Sequence, residues 1–86
     1  MRIDRLLKIL GNRRRLMILK FLLKEKRAVV TEIAGHLKLS IHATSRHLQK
    51  LSHVDILVSE PHSRYVQYEL AKPLHPLVRL ALDHLD

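Results

Sequence analysis

The sequence predicts a mainly helical single domain that closes with a small β-hairpin and one more helix, in the order α-α-α-α-β-β-α. Three observations carry this. Apolar residues recur at spacings of three and four from Ile3 to Leu51. The period then falls to two, with Tyr65, Gln67 and Glu69 alternating with Val66, Tyr68 and Leu70. Finally, a chain of 86 residues has room for one core.

The first helix is read over Arg2 to Leu10, with Ile3, Leu6, Leu7 and Leu10 on one side. Gly11-Asn12 ends it and supplies a new cap. The second helix, about Arg13 to Lys24, is apolar around much of its circumference and belongs at the centre. Arg13, Arg14 and Arg15 crowd its first turn, where the helix dipole disfavours cations; an anion such as phosphate would relieve them. Lys24 to Ala28 is a polar turn, and Ala28-Val29-Val30 an extended lead into the next helix.

From Thr31 to Leu51 two short helical patterns follow, each opened by a hydroxyl residue able to cap it, Thr31 and Ser40. Ile41, Thr44, Leu48 and Leu51 form the inward stripe of the second pattern. Its other face carries His42, Ala43, Ser45, Arg46, His47, Gln49 and Lys50. Small residues there permit close approach, and the rest can donate to bases or phosphates. This is the pattern of a helix-turn-helix with Ser40 to Leu51 as recognition helix. Two short amphipathic helices also occur in proteins that touch no DNA, so charge and the following elements matter.

Beyond Ser52-His53-Val54-Asp55, Ile56 to Glu60 reads as a strand, Pro61-His62-Ser63 as a turn, and Arg64 to Leu70 as the returning strand. A hairpin behind a recognition helix is a wing. Its tip, His62-Ser63-Arg64, brings a guanidinium to a phosphate backbone or a minor groove. Pro73 and Pro76 open the last helix, Leu74 to Leu85, which has more apolar surface than one core face needs.

Sixteen Lys and Arg against eight Asp and Glu give a net charge of +8, as expected for a protein that binds a polyanion. The core must be built from Leu, Ile and Val, because only two tyrosines and one phenylalanine are present. So large an apolar supply in so short a chain points to burial against a second copy. No cysteine exists, which excludes disulfides and thiolate ligands. No apolar run approaches a membrane span, and the N-terminus is too charged for a secretory signal, so the cytoplasm is expected. Paired nucleophile and base, clustered carboxylates and a glycine-rich phosphate loop are all missing; an enzyme is not expected.

With this order in view, the chain resembles the ArsR/SmtB family of winged-helix repressors over about Leu10 to Leu70. The resemblance rests on Arg14-Arg15-Leu16-Met17-Ile18-Leu19, similar to that family's R-L-x-I-L. It rests also on Thr31-Glu32-Ile33-Ala34, and on Leu39-Ser40 followed by Ser45-Arg46-His47-Leu48-Gln49-Lys50-Leu51, similar to L-S-x4-S-x-H-L-x-x-L. It implies a homodimeric, sequence-specific regulator of transcription that joins through its first and last helices. Candidate interface residues are Ile3, Leu6, Leu7, Leu10, Leu74, Leu77, Val78, Ala81 and Leu85.

Departures from the family pattern shift the roles. Ile41 and Ala43 stand where many members have Gln and Thr, so base reading passes to His42, Ser45 and Arg46. Phosphate or wing contacts are expected from Thr31, Ser40, His47, Lys50 and Arg64, with Arg13 and Arg14 behind them. Lys38 replaces the usual turn glycine and is expected at positive φ, at a cost of about 1 kcal/mol. His75, Asp83, His84 and Asp86 lie on the last helix, but neighbours Asp83 and His84 face different ways, so no metal and no cofactor is expected from one chain. A zinc or nickel site bridging two copies is an alternative. His42, His47 and His62 are read as DNA-facing, so acidification should strengthen phosphate binding. The remaining rivals are a sequence-neutral DNA-coating protein and a protein-docking module.

Overall fold

The computed structural model describes residues 2–85. The elements are α1 (Ile3–Leu10), α2 (Arg13–Glu25), β1 (Ala28–Val29), α3 (Val30–Leu37), α4 (Ile41–His53), β2 (Leu57–His62), β3 (Tyr65–Leu70) and α5 (Pro76–Asp83).

α2 is the central helix, as its apolar circumference requires. Ile18 and Leu19 are 0% exposed, and Leu22 lies a turn further on the same face. Its start is fixed by Asn12, whose side-chain oxygen accepts from the Arg15 amide at 3.1 Å, while the Gly11 amide closes α1 on Leu7. α1 and α5 flank α2, each with one row of apolar side chains turned inward. Leu6, Leu10, Val78 and Leu82 are buried in this way. Leu6 and Val78 therefore belong to the protomer's own core and not to an interface, since a side chain already out of water gains nothing from a partner; Leu10 is also a core residue, with only its edge left at the surface.

The sheet has three antiparallel strands in the order β1-β3-β2, with Ala28 opposite Tyr68 and Leu57 opposite Leu70. β1 is the expected extended lead, now paired. It ties the entry of the helix-turn-helix to the hairpin. The turn sits later than expected. β2 continues through Pro61, which pairs with Val66, to His62 opposite Tyr65. Ser63 and Arg64 form the turn, Ser63 at φ 56°. β2 lies at the sheet's free edge, where a proline can stand without breaking the ladder.

Two helix boundaries also move. α3 begins at Val30, so Thr31 lies inside its first turn and is not the cap; Glu32 Oε1 instead accepts from the Val29 amide at 2.9 Å. α5 begins only at Pro76, capped by His75 Nδ1, which accepts from the Leu77 amide at 3.1 Å. Leu74 precedes it. Lys38 ends α3 at φ 56°, in the left-handed conformation expected of it, and the Lys38 and Leu39 amides both return to the Ala34 carbonyl. Among the described residues no helix is long and apolar enough to cross a membrane.

Candidate nucleic-acid interface

α4 is positioned by its inward row and by its cap. Thr44, Leu48 and Leu51 are fully buried, whereas Ile41, expected in the same inward stripe, stands at the first turn of the helix and is 54% exposed. The Ser40 hydroxyl accepts from the Ala43 amide at 3.0 Å. The opposite row is left to solvent: His42, Arg46, Gln49 and Lys50 are exposed, and Ser45 and His47 half-buried. The helix continues two residues past Leu51, to His53, which extends this row.

Of the expected residues, Arg46, His47 and Lys50 come together. With Ala43 they line one depression of about 200 Å³ on α4. Arg46 and Lys50 also line a second groove of about 280 Å³, shared with Gln49, His53 and, from α1, Arg5 and Ile9. Arg13 and Arg14 instead border a separate groove with Asn12, Met17 and Leu37, between α2 and the end of α3. Thr31 is exposed on the first turn of α3. Arg64 is exposed at the wing tip, beside a braced His62, whose ring stacks on Tyr65 with centroids 6.1 Å apart and whose Nε2 lies 3.4 Å from Glu60 Oε1.

Arg15 was given no separate role, yet it is the residue behind this surface. It is only 8% exposed. Its Nε donates to the Ile9 carbonyl at 2.6 Å, and its Nη1 lies 3.4 Å from His47 Nδ1. Among the described residues no carboxylate pairs with it. Burial lowers the pKa of the Arg15 guanidinium. It also lowers that of His47, assisted by the repulsion of Arg15, Lys50, Arg14 and Arg46. Burial and these neighbouring cations thus favour the neutral imidazole of His47 over the imidazolium. The signal for Arg15 was in the sequence: it stands three, four and seven positions before Ile18, Leu19 and Leu22, in phase with the buried stripe. Arg5 carries no such signal, because only the tertiary fold brings α1 to the groove that Arg5 shares with Lys50.

A second surface is apolar. Ile3, Leu7 and Leu80 are more than half exposed, and Leu7, Leu10, Gly11, Leu77, Leu80, Ala81 and His84 line a shallow trough of about 470 Å³ between α1 and α5. Leu80 was not among the expected interface residues. Among the described residues no three His, Cys, Asp or Glu stand close enough to hold a metal ion; Asp86 lies outside them. His84 Nδ1 is bonded to the Leu80 carbonyl at 2.9 Å and must donate to it, since a carbonyl only accepts.

Residues 12–57 match the family of bacterial regulatory proteins designated arsR. Similar solved structures include reduced HlyU from Vibrio cholerae, 31% identical over 93% of this chain and 80% of that one, with a TM-score of 0.78. The homodimeric winged helix-turn-helix DNA-binding domain of Mb0332 from Mycobacterium bovis is 26% identical over 98% and 82%, with a TM-score of 0.82. ZitR from Lactococcus lactis, solved in complex with DNA, is 26% identical over 83% of this chain and half of that one, with a TM-score of 0.70. No curated protein sequence matches significantly. A match across more than half of the chain, on a winged helix-turn-helix with its recognition row open to solvent, makes this protein a member of the ArsR family, a DNA-binding transcriptional regulator and not an enzyme.

Proposed function

We propose that two copies of this chain form a repressor that occupies a near-palindromic operator, acting in the cytoplasm. The observation that carries this is the pairing of two unlike surfaces on one small protomer: a recognition helix with a solvent-facing cationic row, and an apolar trough on α1 and α5. Ile3, Leu7, Leu77, Leu80 and Ala81 form the interface, with Leu74 and Leu85 at its margin. The homodimeric state of Mb0332 and the DNA complex of ZitR support this reading. His42, Ser45 and Arg46 read bases. Thr31, Ser40, His47, Lys50 and Arg64 hold the backbone, and Arg13 and Arg14 reach flanking phosphates.

In a two-fold dimer the two recognition helices enter successive major grooves, so half-sites lie about one helical turn, roughly 34–36 Å, apart. The test is selection from randomised duplexes at physiological salt. An inverted repeat with that spacing is the expected product. A single enriched half-site would remove the dimer and keep the reader. No enrichment, with bulk DNA still bound at low salt, would replace operator binding by sequence-neutral coating.

A further inference from the structure

We propose that the depression on α4 lined by Ala43, His47 and Lys50, beside the base-reading Arg46, seats one DNA phosphate, and that buried Arg15 is the positioning residue that makes His47 a hydrogen-bond donor to it. The inference rests on the DNA-binding reading above and specifies how one of its contacts is made.

The argument is one of donors and acceptors. A guanidinium has no lone pair to offer, so in the 3.4 Å contact between Arg15 Nη1 and His47 Nδ1 the imidazole nitrogen accepts. That fixes the tautomer, because the proton of a neutral imidazole must then sit on Nε2, which points away from Nδ1. The ring lines the depression on α4 together with Lys50, so an N–H on Nε2 is the donor we assign to an anion seated there. Donation from a cation into Nδ1 draws electron density from the ring and strengthens Nε2–H as a donor.

Arg15 can hold this post without a carboxylate because of where its other bond goes. Its Nε donates at 2.6 Å to Ile9, one of the carbonyls left unpaired at the C-terminal end of α1, where the helix dipole favours a cation. The groups facing His47 are Arg14 and Arg15 from α2 and Arg46 and Lys50 from α4, all cationic. They oppose a second charge on the ring and attract an anion in front of it. The seat therefore combines surrounding cations with a neutral, oriented donor.

The first measurement is the ¹⁵N spectrum of the His47 ring in the free wild-type protein near neutral pH. A neutral ring protonated on Nε2 is expected; a ring protonated on Nδ1, or charged, overturns the proposal. Arg15→Gln should erase the tautomer preference, and an unchanged preference would remove Arg15 from the role. Should that variant fail to fold, His47 variants decide. His47→Gln places an amide donor near the position of Nε2 and should keep operator affinity within about threefold, whereas His47→Asn, with its donor near Nδ1, should lose about tenfold. Equal losses would sink the oriented-donor argument. At neutral pH the salt slope of His47→Gln should equal that of wild type; a slope smaller by about 0.9 would make His47 a charged contact instead. If wild-type protein bound no duplex, the DNA reading would fall by itself. Titration with inorganic phosphate would then judge the seat, a shifted Nε2–H resonance supporting it and an unmoved one refuting it.

Discussion

The Thr44 hydroxyl donates to the Ser40 carbonyl at 2.9 Å while the Ser40 hydroxyl accepts from the next turn's amide at Ala43. The two residues close the start of the recognition helix on itself. Thr44 is wholly buried and spends its hydroxyl inside the helix. Ser40 is exposed, and its hydroxyl proton is left to donate outward.

Ser40→Ala should therefore lower the unfolding free energy by about 1 kcal/mol, the usual value of a lost N-cap. Ser40→Asp should restore stability, since a carboxylate caps as well, yet it should weaken DNA binding by facing a phosphate. Urea unfolding at fixed protein concentration and duplex titration check the two halves independently. Parallel losses in both would mean that Ser40 only caps.

Arg46 lies on the exposed row of α4 and borders both of its depressions. Arg46→Ala should cost about 1–3 kcal/mol on the operator and less on scrambled duplex, relaxing specificity at one base position. A loss equal on every sequence would assign Arg46 to the backbone.

Leu7→Glu or Leu80→Glu should yield a folded monomer, because both side chains are more than half exposed in the protomer. Leu6→Ala, one position from Leu7 but buried, should instead destabilise by about 2–5 kcal/mol. Sedimentation and thermal unfolding distinguish these outcomes. A Leu80→Glu variant that still dimerises would move the interface elsewhere.

Acid should weaken the fold through His47. Burial holds its pKa below the ordinary 6.5, so the unfolded chain binds a proton that the folded chain refuses. The fold is fully stable with respect to this group above about pH 6.5, and loses stability as pH falls from there through the lowered native value. The thermal midpoint of wild type should thus drop between those limits, and His47→Gln should flatten the drop. An identical slope in the variant would place the proton uptake elsewhere.

Lys38 at φ 56° carries a strain that glycine would not. Lys38→Gly should raise stability by about 0.5–1 kcal/mol, the relief of the left-handed backbone less the added freedom of the unfolded chain. A fall in the urea midpoint would contradict that.

Much of this fold was legible in the sequence because its signals are periodic. α2 and α4 have long inward stripes, and Asn12 and Ser40 cap where their chemistry suggests. β1 was harder. Two residues, Ala28 and Val29, have no period, and their strand character comes wholly from pairing with β3. The division of α1 into buried Leu6 and Leu10 and exposed Ile3 and Leu7 was hidden for another reason. All four are apolar, and composition cannot say which edge of a wide apolar face meets the core and which remains for a partner. In the interface, Arg46 and Lys50 could be placed by helical phase, whereas Arg5 reaches the same groove only through tertiary packing.

The position of Pro61 in β2 has a consequence for the protein in a crowded cell. A free sheet edge is a template on which another chain can add a strand, and repeated addition leads to fibrils and precipitation. Next to the tip of this edge the backbone has no amide hydrogen to offer, so an incoming strand would lose a rung of its ladder at Pro61. Replacing the proline by a β-former would leave the wing paired with β3, but would open its outer margin to self-association. The same residue thus keeps the outer margin of the hairpin from templating another chain.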